Sequence, residues 1–103
     1  MTRLISSQRH RDEEIVAEKR QNRDYGVSVS PAFELFGEQV QLILDGHHSW
    51  DAAIADGVEP HIVELDATDD DRIALLLHGN IDDFLVATYI DSDLYDVRTG
   101  HDL

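Results

Sequence analysis

The chain has 103 residues, 42% hydrophobic and 29% charged, which fits one globular domain over residues 1–103 and excludes a disordered chain. Cysteine is absent, excluding disulfides, thiolate nucleophiles and cysteine-based zinc sites. Eight basic against twenty-two acidic residues give a formal net charge of −14, which opposes nonspecific binding to nucleic acid or anionic membranes.

The charge is unevenly placed. Arg3, Arg9, Arg11, Lys19, Arg20 and Arg23 lie within residues 1–23, leaving only Arg72 and Arg98 from Asp24 onward against eighteen acids. A basic arm on an acidic body suggests an arm that folds back on that surface or one that meets a partner. No early apolar run resembles a signal peptide and no 18-residue apolar stretch could span a bilayer, so the expected location is cytoplasmic.

In chain order, the first predicted element is a helix that Asp12 caps. Glu13 and Glu14 fall in its first turn and Lys19, Arg20 and Arg23 near its far end, the favourable order for the helix dipole. Ile15 and Val16 give it a narrow apolar face, so it reads as a solvent-facing cover, and Gly26 either ends it or begins the next turn. Two strands follow. "GVSVSPAFELF" places Val27 and Val29 on one side, with Pro31 marking an edge or a bulge. "EQVQLILD" puts Val40, Leu42 and Leu44 on one face and Gln39, Gln41 and Ile43 on the other, after a tight turn at Gly37-Glu38.

The period then changes. Trp50, Ala53, Ile54 and Gly57 recur at helical spacing, which predicts a helix from about His47 to Asp56 closed by Gly57. "EPHIVELD" reads as a strand anchored by Ile62 and Leu65, completing a β-α-β unit. Thr68 is then expected to cap a helix with Asp69–Asp71 in its first turn and Ile73, Leu76 and Leu77 on its buried face. After a break at His78-Gly79-Asn80, a last helix carries Ile81, Phe84, Leu85, Thr88 and Tyr89 on one stripe. Leu94, Tyr95 and Val97 in the tail are expected to pack back on the body. The fold class is therefore α+β: one small domain with a short mixed sheet and surrounding helices.

One segment carries chemistry. A strand, then Asp45-Gly46, then His47-His48-Ser49 opening a helix brings free N–H groups, two imidazoles and a hydroxyl together, the geometry of an anion site. Asp45 either caps the helix, orients an imidazole or holds a divalent ion. His47 is one turn from Asp51, so the two pair either as an oriented base or as an exposed solubilising pair; His48 is either structural or reaches a ligand. Nothing local activates Ser49 as a nucleophile, and Trp50 reads as core.

At "LILDGHHSWDAAIADGVEPHIVEL" the chain resembles the ParB/sulfiredoxin superfamily, a ParB-like nuclease-type domain in which an Asp-Gly-His-His-Arg-like box opens a helix with paired alanines. Asp45, Gly46, His47 and His48 match the box, Ala52 and Ala53 the alanines, and Gly57 with "HIV" at 61–63 the close of the unit. The likeness covers roughly residues 7–66; residues 68–103 form C-terminal helices and a tail. It implies a sulfiredoxin-like fold and a nucleotide or phosphate at the box. Where the family carries a phosphate-contacting arginine this chain has Ser49, and Arg9 or Arg11 replaces it if the arm folds over the box. The missing cysteine excludes cysteine repair, and with no helix-turn-helix after the box a chromosome-partition role is not expected.

Two functions follow. In the first, the box binds a nucleotide or phosphoester through Gly46, His47, His48, Ser49, Arg9 and Arg11. Asp45, His47 and His48 are then the candidate catalytic residues, Asp45 the candidate ligand for Mg²⁺ or Mn²⁺, and the chemistry metal-assisted phosphoester or phosphoryl transfer. In the second, the chain is a non-catalytic acidic interaction module or nucleic-acid mimic that regulates a basic or DNA-binding protein partner.

Overall fold

Alternating apolar residues, most of them in the first two thirds of the chain, build a mixed sheet that helices cover on both faces. The computed structural model describes residues 2–103. In chain order the elements are β1 (Arg3–Ser6), α1 (Glu13–Gln21), β2 (Gly26–Val29), β3 (Phe33–Leu35) and β4 (Glu38–Asp45), then α2 (His47–Asp56), β5 (His61–Glu64), α3 (Ile73–Leu77), α4 (Ile81–Thr88) and β6 (Tyr95–Asp96). This is a small α+β domain with a mixed sheet flanked by four helices. No described helix is long and apolar enough to cross a membrane.

The strand order is β5-β2-β4-β1-β6, with β3 also on β4. β4 is the longest strand and carries the alternation read from sequence. Val40 and Leu42 point into a cluster with Ile5, Phe33, Ile73, Leu76 and Phe84, and Leu44 packs against it. Ile43 points the other way, into a cluster with Leu4, Val27, Val29 and Trp50. Helices α3 and α4 close the first cluster and α2 closes the second, while α1 lies on α2 and buries none of its own residues. Burying both faces is what makes β4 stable in the middle of the sheet.

β2 and β3 run in succession along the same side of β4, both antiparallel to it. The break between them falls at Ser30-Pro31. Proline has no N–H to give the ladder, and Ser30 substitutes for the lost regularity: its backbone N donates to Leu42 O at 2.9 Å and its hydroxyl accepts from Leu42 N at 3.0 Å. Pro31 therefore marks the break between β2 and β3, while the register irregularity of the ladder falls earlier, between Ser28 and Val29.

Several expectations need correction. The β3–β4 turn is Phe36-Gly37, one residue earlier than Gly37-Glu38, with Leu35 paired to Glu38. Both turn residues have positive φ (51° and 78°), the backbone of the twist-matched two-residue hairpin. Phe36 is 79% exposed there, so packing does not repay its left-handed strain. Phe36→Asn is expected to raise stability by about 0.5–1 kcal/mol, read from urea midpoints; a fall would mean the ring makes a stabilising contact.

α1 ends at Gln21, with Asn22 as its C-cap and Arg23 turning out at φ 53°, so of the two readings of Gly26 the helix end is the wrong one; Gly26 opens β2. Its start is as expected, Asp12 accepting from Glu14 N and Ile15 N. β5 does not complete a parallel unit with β4: it pairs parallel with β2, which is antiparallel to β4. It is an exposed edge, with Ile62 and Val63 each 41% accessible and Leu65 just beyond its end. Thr68 caps no helix, because Asp66 takes its backbone N and its hydroxyl along with Asp69 N, folding the acidic run into turns. α3 starts only at Ile73, and Leu77 is exposed. Ile54 is also exposed on α2 and Tyr89 lies past the end of α4, also exposed.

The uneven charge has a structural outcome. Arg3 pairs with Glu38 and Asp96, Arg9 with Asp102, Arg11 with Asp51, Lys19 with Asp24 and Arg20 with Asp56. The arm folds back on the acidic body. Each such pair is worth at most about 1 kcal/mol, so their effect is placement more than stability.

Candidate functional site

The site is the junction where β4 ends and α2 begins. Gly46 sits there at φ 93°, the αL-side conformation that turns strand into helix in one residue. It is also pressed against β2. A Cβ at this position would lie 2.4 Å from Gly26 O and 2.9 Å from Val27 Cα. Only glycine lets α2 start this close to the sheet.

Asp45 does not cap the helix. Its carboxylate accepts from Gly46 N at 2.8 Å and the residue is exposed. No side chain caps α2, whose first internal bond is Trp50 N to Gly46 O at 2.8 Å. The amides of His47, His48 and Ser49 thus precede the helical ladder, at the positive end of the helix dipole.

The histidines have separate partners. His47 is 4% exposed and its Nε2 lies 2.6 Å from Ser6 Oγ at the end of β1. Burial first, and the Arg11 guanidinium second, push its pKa down to about 4, against the opposing pull of Asp45. A hydroxyl on an imidazole is an arrangement nucleophilic catalysis uses, but Ser6 is fully buried. The pair is a strut between β1 and α2. His48 Nε2 accepts from Asp12 N at 3.1 Å, which places its ring proton on Nδ1 and ties the start of α1 to the start of α2. Ser49 is buried and its hydroxyl donates to Asp24 at 3.3 Å. His47 and Asp51 do not pair; Asp51 is taken by Arg11.

The arm does fold over the box, but with a different cation. A concavity of about 370 Å³ at the junction is lined by Gln8, Ile15, Lys19, Asp45, Gly46, His47, His48 and Ser49. Lys19 is its positive charge. Its ammonium donates to Asp24 at 3.0 Å, which raises the lysine pKa and holds the Asp24 carboxyl below its usual range. Arg9 points away, stacked 4.1 Å over the Tyr95 ring and paired with Asp102. Arg11 donates to Tyr95 Oη at 3.1 Å and to Gln8 O. Its Nε is 3.1 Å from Asp51 but is not aligned for a hydrogen bond, so that contact is electrostatic. Arg11 lines a separate, larger groove of about 810 Å³ between α1 and α2, where Arg98 covers the Trp50 ring at 5.2 Å.

Sequence reasoning missed Ser6 and Lys19. Lys19 carried a legible signal: on the predicted helix it is one turn from Ile15, which also lines the concavity. Ser6 carried none, since its partner is 41 residues away. Among the described residues no three His, Asp or Glu side chains group as metal ligands. Compared with protein-family models, curated proteins and solved structures, the chain matches none.

Proposed function

We propose that the chain is a small phosphate-ligand-binding domain that takes a nucleotide or phosphoester at the Asp45-Gly46-His47-His48 junction. One observation carries this reading: α2 opens on an uncapped first turn at a concavity into which α1 brings Lys19. Backbone amides, helix dipole and one ammonium are the donor set that phosphate selects. The resemblance of the box to the ParB/sulfiredoxin superfamily supports the same ligand class, and with it the finer sulfiredoxin-like fold.

The side chains take different parts in it. Lys19 replaces the family's box arginine as the cation, in the place Arg9 and Arg11 were expected to fill. His47 and His48 hold the junction in shape through Ser6 and Asp12 N, so their role is positioning. Among the described residues Asp45 is the one carboxylate lining the concavity. A Mg²⁺ or Mn²⁺ ion keeps most of its waters and binds through one or two carboxylates plus phosphate oxygens, which fits Asp45 acting with the ligand. When bound, such an ion would neutralise phosphate charge that Asp45 alone repels.

A calorimetric series of ATP, CTP, GTP and pyrophosphate, each with and without Mg²⁺, tests this. Saturable binding is expected, weakened about tenfold by Lys19→Ala and stripped of its Mg²⁺ dependence by Asp45→Asn. Absence of heat across the whole series would overturn the reading.

A further inference from the structure

Away from the box, the end of α4 and the chain after it present an apolar surface that none of the described residues covers. Val86 is 78% exposed and Tyr89 60%. They border a cavity of about 340 Å³ that reaches Leu85 and Leu94. A second cavity of about 370 Å³ shares Asp93 and Leu94 with it and is walled by Phe36 and Leu103. The two meet at Asp93 and Leu94 and make one strip from α4 to the tip of the β3–β4 hairpin, largely apolar but interrupted by Asp93 and by Asp102, the latter paired with Arg9. Phe36 is the strained residue of that tip, left-handed at φ 51° and 79% exposed. Asparagine would relieve the strain, and a displayed aromatic held against it points to use.

The rim is acidic. Asp82 and Asp83 stand one turn from Val86 on the same exposed face of α4, and Asp93 follows it, while Asp91 is taken by the backbone amides of Arg9 and His10. Between Arg72 and Arg98 the chain has no lysine or arginine. Arg9 reaches this region but is paired with Asp102. An apolar strip with this rim repels anionic lipid, and a second copy would set two bodies of net charge −14 against each other.

We infer that this strip, from α4 to Phe36, is the docking surface for a cationic amphipathic segment of a partner protein, its apolar side chains in the two cavities and its lysines or arginines on the aspartate rim. The inference does not rest on the phosphate reading, since the surface shares no residue with the box concavity.

The probe is a fluorescein-labelled amphipathic peptide of about 16 residues, with leucines at helical spacing and lysines elsewhere, followed by anisotropy. Its controls are a glutamate counterpart and a scrambled peptide of the same composition. The lysine peptide is expected to bind saturably, and Val86→Ser with Tyr89→Ser to weaken it at least about tenfold. Asp82→Asn with Asp83→Asn should weaken it and flatten its salt dependence. Phe36→Asn should weaken it severalfold while unfolding at the same or higher urea, separating lost contact from lost fold. Four results would each overturn the inference: equal binding of the scrambled peptide, no effect of the Val86 and Tyr89 changes, no binding up to about 1 mM, or a homodimer in sedimentation that Val86→Ser with Tyr89→Ser dissociates. The Lys19→Ala protein should bind the peptide normally, so failure here and failure at the box remain distinguishable.

Discussion

Gly46→Ala should be among the most damaging single changes in the protein, lowering stability by about 2–4 kcal/mol. Two independent costs meet at that position. An alanine at φ 93° carries the strain of the left-handed side, and its methyl would sit 2.4 Å from Gly26 O, closer than any real contact. The obstructing atom is backbone in β2, whose neighbour Val27 is 1% exposed. Relief therefore requires α2 to move off the sheet. Gly57→Ala supplies the control, because Gly57 also has positive φ (67°) yet nothing lies within 4 Å of its Cβ position. It should show the strain alone, about 1 kcal/mol. In thermal melts the Gly46 change should lower Tm by roughly 10–25 °C and the Gly57 change by far less. Equal shifts would mean that the close approach of α2 to β2 is not a constraint.

The second large effect is a pH dependence from His47. Its folded pKa of about 4 lies below the ordinary histidine value of 6.5. Between those values the unfolded chain binds a proton that the folded chain refuses, so stability rises with pH across that window and is lost as pH falls. The full difference corresponds to about 3 kcal/mol, and roughly 2 kcal/mol of it should disappear between about pH 7.5 and about pH 5. Aspartates and glutamates contribute their own acid dependence, common to the wild type and a His47→Gln protein. Urea unfolding at both pH values should therefore show the wild type losing about 2 kcal/mol more than His47→Gln. An NMR titration of the His47 ring in the wild type gives the same answer without a variant: no protonation is expected above about pH 5. A ring that titrates near 6.5 would mean that His47 is open to solvent and not enclosed against Ser6.

The features that were legible in the sequence are those fixed by short-range chemistry. The Asp12 cap, the extent of α2 and the facing of Val40, Leu42 and Ile43 all follow from side-chain period and cap residues within a turn or a strand. What was hidden depends on distant partners or local competition. β1 has only Leu4 and Ile5 as apolar residues, pointing to opposite cores, and its register is set by Val40–Leu42 far along the chain. Thr68 and three aspartates make a plausible helix start, yet Asp66 captures the same donors first and the helix begins four residues after the expected first-turn Asp69. The site divides in the same way. Sequence located the junction at Asp45 to Ser49, but the assignment of Arg9 and Arg11 to it could not foresee Tyr95, Asp51 and Asp102 drawing both guanidinia elsewhere. Net charge was the least informative quantity. It concealed an arm that neutralises part of the body and an aspartate-rimmed apolar strip at α4.

The most direct measurement is a backbone amide NMR titration of the chain with Mg²⁺–pyrophosphate. Saturable shifts are expected, concentrated at the backbone amides of His47, His48 and Ser49 and removed by Lys19→Ala. Shifts centred on the Arg11–Arg20–Arg98 groove instead, or an unchanged spectrum at millimolar ligand, would contradict it.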